Sequence, residues 1–256
     1  MGNLFSSIGL DSIACVDNSV TCLLFQPPNT KKETITNLKN LQNTKLFTLN
    51  SDTGNDISVI EIDKNKNNKV LIFSHGNGCD IYTCYSMLNE YAEKFGVKVV
   101  CYDYPGYGLS TGKSSEENCY DAINCVIKHY EKSIDKKNII LVGQSLGTGV
   151  TVNYALDNKW LSPIILISPY KSIGRVICDS SITESSFKHN MFKSYVKVEK
   201  LDCPVRIIHG YNDNLIPISH GQYLYSKLKN PLKPSWKFGC GHNNIYLEHD
   251  DMIDIL

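Results

Sequence analysis

The chain has no surplus of either charge: 26 Lys and Arg balance 26 Asp and Glu, for a formal net charge of zero. Without a basic excess there is nothing to neutralise a phosphate backbone, so no nucleic acid partner is expected. Long apolar runs are also missing. The longest, such as Val70 to Phe73 and Pro163 to Ile167, are strand-sized, far short of the roughly 20 residues needed to cross a bilayer as a helix. Ten cysteines are present, but they are scattered and no C-x-x-C pair occurs, so neither a zinc site nor a disulfide scaffold is expected. Cys84, Cys101, Cys119 and Cys125 sit inside apolar-periodic segments, as free thiols do in a reducing compartment. No basic region precedes Lys31, and Asp11 and Asp17 interrupt the start. A secretory leader is therefore not read, and an intracellular, cytoplasmic protein is expected. Internal repeats and low-complexity tracts are absent as well.

What is present fits one globular unit. The 256 residues are 42% apolar and 20% charged, enough to bury a single substantial core. From about residue 44, short β-branched runs alternate with helical periods, the pattern of a mostly parallel sheet covered by helices on both faces. An opening hairpin is read from Leu46–Leu49 and Ile57–Ile60 across Ser51 to Asn55. Central strands follow at Val70–Phe73, Val97–Val100, Ile139–Val142, Ile164–Ile167 and Val205–Ile208, with a last strand at Trp236–Phe238. Ile81, Tyr85, Leu88, Ala92 and Phe95 mark a helix between an N-cap at Asp80 and a stop at Gly96. Ser114 and Glu117 form a capping-box pattern before a second helix carrying Cys119, Ile123, Val126 and Tyr130 inward. The stretch from Tyr170 to Val198 reads as an excursion over the sheet, at most a small lid.

Chemistry enters at Gly143-Gln144-Ser145-Leu146-Gly147, which follows one apolar run and opens a helical one. That is a nucleophile elbow in its required setting, and with the alternating elements it predicts an α/β-hydrolase fold. A serine hydroxyl needs a base and the base an orienting acid, which this fold supplies in the order Ser, acid, His. Asp213 directly follows the strand ending at Ile208. His242 directly follows the strand ending at Phe238. The expected triad is thus Ser145, Asp213 and His242; Asp179 and Asp202 are weaker candidates for the acid, and His129, His189, His209, His220 and His249 for the base. Two backbone donors must meet the oxyanion. Leu146 is expected to supply one, and Asn77, in His75-Gly76-Asn77-Gly78 after the strand Val70 to Phe73, the other. Such chemistry requires no cofactor or metal.

The motifs Ser74-His75-Gly76-Asn77, Tyr102-Asp103-Tyr104-Pro105-Gly106-Tyr107-Gly108 and Gly143 to Gly147 resemble those of small intracellular serine hydrolases that include the membrane-anchored protein depalmitoylases of α/β-hydrolase domain family 17. Ser168 to Ser172, His209 through Asp213 to Gly221, and Gly241-His242-Asn243 are similar in order and spacing. The resemblance implies Ser145 as nucleophile, Asp213 as acid and His242 as base, acting on fatty acyl thioesters of membrane proteins. Two departures stand out. Asn244 occupies a place where the family often has an acidic residue, and the N-terminal cysteine cluster is reduced to Cys15 and Cys22.

Met1-Gly2-Asn3-Leu4-Phe5-Ser6 fits the N-myristoylation pattern at Gly2. One myristoyl chain holds a membrane only marginally, so acylation of Cys15 or Cys22 would be the second signal. Residues 1–40 are accordingly read as an N-terminal segment open to lipid anchoring and peripheral membrane attachment, and residues 41–256 as the hydrolase domain. The expected substrate is an acylated protein or small acyl ester, and the expected state a monomer. Two alternatives stay open: a lipid esterase or peptidase on the same triad, and a hydrolase fold kept as a binding or structural protein.

Overall fold

Among the described residues, eight strands form one sheet in the order β1-β2-β4-β3-β5-β6-β7-β8. The computed structural model describes residues 24–64, 66, 68–179 and 190–256. The hairpin strands β1 (Thr44–Asn50) and β2 (Asp56–Asp63) pair antiparallel, and β2 pairs antiparallel with β4 (Lys98–Tyr102). Every other pairing is parallel: β3 (Val70–Ser74), β5 (Ile139–Gln144), β6 (Ile164–Ile167), β7 (Val205–Gly210) and β8 (Ser235–Lys237). The β-branched runs Val70 to Phe73 and Ile164 to Ile167 are buried at every residue because helices cover both sheet faces.

The two faces split by residue parity. Val70 and Ile72 join one core with the helices Glu116–Tyr130 and Leu146–Asp157, while Leu71 and Phe73 join the other with the helix Ile81–Phe95. Among the described residues, taken in chain order, the helices are α1 (Lys32–Thr36), α2 (Ile81–Phe95), α3 (Glu116–Tyr130), α4 (Leu146–Asp157), α5 (Ile173–Ile177), α6 (Ile218–Tyr225) and α7 (His249–Met252). Among the described residues no helix is long and apolar enough to cross a membrane.

Local chemistry sets the helix ends. The Asp80 carboxylate accepts from the Thr83 amide at 2.8 Å and the Thr83 hydroxyl accepts from the Asp80 amide at 2.8 Å, a capping box that fixes the start of α2. Gly96 ends that helix at φ 62°. One expectation shifts by a residue: the cap of α3 is Ser115, whose hydroxyl accepts from the Asn118 amide at 3.1 Å. Ser114 instead donates to the Pro105 carbonyl at 2.9 Å, bracing the loop after β4.

The start of the described chain is packed into this fold. Phe25 lies edge-on against Phe192 in one core, and Ile35 and Leu38 lie in the other. The excursion beginning at Tyr170 holds α5 and short 3₁₀ turns at Ser194–Val196 and Val198–Lys200. Gly2, Cys15, Cys22 and His189 lie outside the described residues.

Candidate active site

Parallel strands place their C-terminal ends, and the loops that follow, along one edge of the sheet. Ser145 sits there, between β5 and α4, with φ 51° and ψ −118°, a conformation sparsely populated by side-chain-bearing residues. The turn is close enough that a Cβ on Gly143 would lie 2.4 Å from the Gly147 carbonyl oxygen, and one on Gly147 would lie 2.0 Å from that of Ser74. Only glycine fits at either position. The Ser145 amide donates to the Ile167 carbonyl at 2.9 Å, tying the elbow to β6.

The loop after β7 brings in Asp213 and the loop after β8 brings in His242. His242 Nε2 lies 3.0 Å from Ser145 Oγ, and His242 Nδ1 lies 2.7 Å from Asp213 Oδ2. A carboxylate can only accept, so Nδ1 carries a proton and Nε2 is left to accept from the serine hydroxyl. The Asp213 Oδ1 takes the amides of Leu215 at 3.0 Å and Ile216 at 2.8 Å. Burial pushes the Asp213 carboxyl up, but the histidine contacts and the Ile216 amide outweigh it and hold the group below its ordinary range. Asp213 is therefore an anion at neutral pH. Asn244, the departure from the family pattern, accepts from the Gly241 amide at 2.6 Å and so closes the turn that carries His242.

Asn77 lies on the facing loop, after β3. The Asn77 and Leu146 amides have no backbone acceptor among the described residues. The Asn77 side chain does something the sequence did not reveal. Its Oδ1 accepts from the Gln26 amide at 2.9 Å and the Tyr107 hydroxyl at 2.7 Å, and its Nδ2 donates to the Leu24 carbonyl at 2.6 Å. Tyr104 donates to the His75 carbonyl at 2.7 Å. The Tyr102 to Gly108 motif is thus a brace for the loop bearing Asn77. Beneath it, burial lowers His75 to about 4 and raises Asp103 to about 7, and the imidazole and carboxyl lie 3.8 Å apart.

Ser145, His242, Asn77 and Leu146 line a cleft of about 290 Å³. Its other walls are largely apolar, including Leu24, Tyr170, Ile173, Val176, Leu215 and Ile216. Of these, only Tyr170 fell in a quoted sequence motif, Ser168 to Ser172, and none was read from sequence as a cleft wall. Of the weaker candidates, His209 lies 3.5 Å from Asp213 Oδ2, and the other described ones sit elsewhere. Asp179 is engaged by Lys171 at 2.6 Å, Asp202 by Lys229 at 2.8 Å, His129 packs at a tilt on Phe47, and His249 meets Phe95 edge to face. His220 accepts from the Lys171 amide at 3.3 Å. Among the described residues no group of three His, Cys, Asp or Glu side chains could hold a metal ion.

Residues 65–195 match the family described as serine aminopeptidase, S33. The chain is 42% identical over 253 residues to the alpha/beta hydrolase L404 of Acanthamoeba polyphaga mimivirus, covering 96% of this chain and 94% of that one. It is 33% identical over 204 residues to human alpha/beta hydrolase domain-containing protein 17B, covering 78% of this chain and 70% of the relative. Among solved structures, an esterase of Pyrococcus furiosus superposes with a TM-score of 0.64 at 17% identity, over 86% of this chain and 90% of its own.

Proposed function

Because the chain belongs to the α/β-hydrolase family, we propose that it is a serine hydrolase cleaving acyl esters or thioesters through a covalent acyl-enzyme. The observation that carries this reading is the line Ser145 Oγ, His242 Nε2, His242 Nδ1, Asp213 Oδ2, with gaps of 3.0 and 2.7 Å, opening into an apolar cleft. Ser145 attacks the acyl carbonyl while His242 takes the hydroxyl proton; the amides of Asn77 and Leu146 hold the oxyanion. The alcohol or thiol leaves with that proton. Water, deprotonated by His242, then releases the acid and restores the serine.

The apolar walls suit a fatty acyl group, and the motif resemblance to the family 17 depalmitoylases implies the thioesters of acylated proteins as the substrate. Depalmitoylation is thus the finer reading, with the lipid anchor at Gly2, and Cys15 or Cys22 as second site, holding the enzyme near acylated partners at a membrane. The family description favours a second reading, hydrolysis of peptide N-termini. An aminopeptidase must bind an ammonium group, however, and among the described residues no acidic side chain lines the cleft. Acyl transfer to water from an ester or thioester is the better fit.

The test combines labelling by a fluorophosphonate with turnover of matched acyl thioesters, oxyesters and aminoacyl amides. Labelling and thioester turnover that vanish in Ser145→Ala are expected. Turnover that survives this substitution would sink the mechanism, and preference for the aminoacyl amide would select the second reading.

A further inference from the structure

His209 stands behind the acid of the proposed triad. It lies on β7 opposite Trp236 and is fully buried. Its Nε2 lies 2.8 Å from the Ile216 carbonyl oxygen and 3.5 Å from Asp213 Oδ2. A carbonyl oxygen can only accept, so Nε2 must carry a proton, and that N–H is given to the Ile216 carbonyl with the carboxylate oxygen 3.5 Å away. The opposite ring nitrogen is left without a hydrogen-bond partner among the described residues. A residue serving only to fill space would not carry a buried, unpaired nitrogen. The ring is also caged from the far side: a Cβ on Gly221, in α6, would fall 2.6 Å from His209 Nδ1. The helix has given up a side chain to admit the imidazole.

We infer that His209 is a positioning residue, whose Nε2–H, fixed by the Ile216 carbonyl, sets the rotation of the Asp213 carboxylate so that Oδ2 faces His242. Two amides hold Oδ1 and two imidazoles converge on Oδ2, so each carboxylate oxygen is defined from two directions. Losing His209 leaves Oδ2 placed from one side only, by His242, while the two amides still hold Oδ1. His242 then loses the alignment that keeps Nε2 pointed at Ser145. The effect belongs to the chemical step, because His209 does not line the cleft that receives substrate.

This inference rests on the serine-hydrolase reading, and the experiment separates the two. Steady-state kinetics on one soluble acyl ester would compare wild type with His209→Leu, His209→Gln, Gly221→Ala and Ser145→Ala. Leucine removes the donor; glutamine keeps an N–H close to the place of Nε2; the Gly221→Ala methyl drives against the ring while leaving every polar group in place. Expected is a kcat at least tenfold lower in His209→Leu and Gly221→Ala with KM within twofold, and recovery of most of kcat in His209→Gln. A kcat within twofold of wild type in both His209→Leu and Gly221→Ala would overturn the positioning role, as would loss in His209→Gln equal to that in His209→Leu. If His209→Leu does not fold, Gly221→Ala and His209→Gln decide by the same criteria. Undiminished turnover in Ser145→Ala would instead defeat the mechanism itself, whatever the His209 variants do.

Discussion

A carboxylate that accepts two amides and an imidazole N–H while buried from water has one favourable charge state, and Asp213 is held in it. Replacing that acceptor by an amide presents an N–H to the Nδ1 of His242 and favours the wrong tautomer. Asp213→Asn is therefore expected to lower kcat by roughly 10³ to 10⁴ with little change in KM, read on a soluble ester. A second residue reports through stability. His220 is buried with its Nδ1 accepting from the Lys171 amide, and burial lowers it to about 4. The unfolded chain binds that proton near pH 6.5, the folded chain only near 4, so the stabilisation is complete above 6.5 and is lost as pH falls towards 4. Relative to His220→Gln, the wild-type unfolding free energy should drop by about 3 kcal/mol across that window. Urea titrations at pH 7.5, 6, 5 and 4 would measure it, and a difference that does not change with pH would refute the account.

At the scale of elements, the strand-turn-helix joint at Ser145 is the most demanding piece of backbone. The Ser74 carbonyl occupies the space a Gly147 side chain would need, and the neighbours are backbone atoms that cannot rotate aside. Gly147→Ala should cost about 3 kcal/mol or more, a fall in melting temperature of roughly 6–12 °C for a chain of this size; a melt unchanged within 2 °C would contradict it. Such joints were legible in the sequence because their rules are local. An apolar run, a G-x-S-x-G and an apolar helix fall within about 20 consecutive residues, and chain order then selects Asp213 and His242. The hairpin and the capped helix α2 were legible for the same reason, through Asp80 and Gly96. What escaped depends on contacts distant in sequence. Nothing near Asn77 foretells that its side chain will bind Leu24 and Gln26, about 50 residues earlier, or that Tyr107 will orient it. The cap of α3 slipped from Ser114 to Ser115 because adjacent serines offer identical chemistry, and the nearby Pro105 carbonyl claimed the first.

The cleft exists only at the level of the whole molecule. The first described residues, the elbow, the excursion with α5 and the loop after β7 each contribute a wall, and the two cores on either side of the sheet hold those pieces in register. An apolar cavity of about 290 Å³ should discriminate by acyl length, because each buried methylene adds about 0.8 kcal/mol. If that binding is realised in the transition state, kcat/KM should rise about fourfold per methylene and level off once the cavity is full. Ile173 lines the cleft from α5 and packs against the core, so a larger side chain there must take volume from the cleft or distort the helix. Ile173→Trp is expected to leave kcat/KM for an acetyl ester within threefold of wild type, and to lower it at least tenfold for the longest chain wild type prefers. Displacement of α5 away from the site would instead lower both alike. That outcome would mean the excursion shapes the catalytic end of the cleft rather than the end that holds the chain.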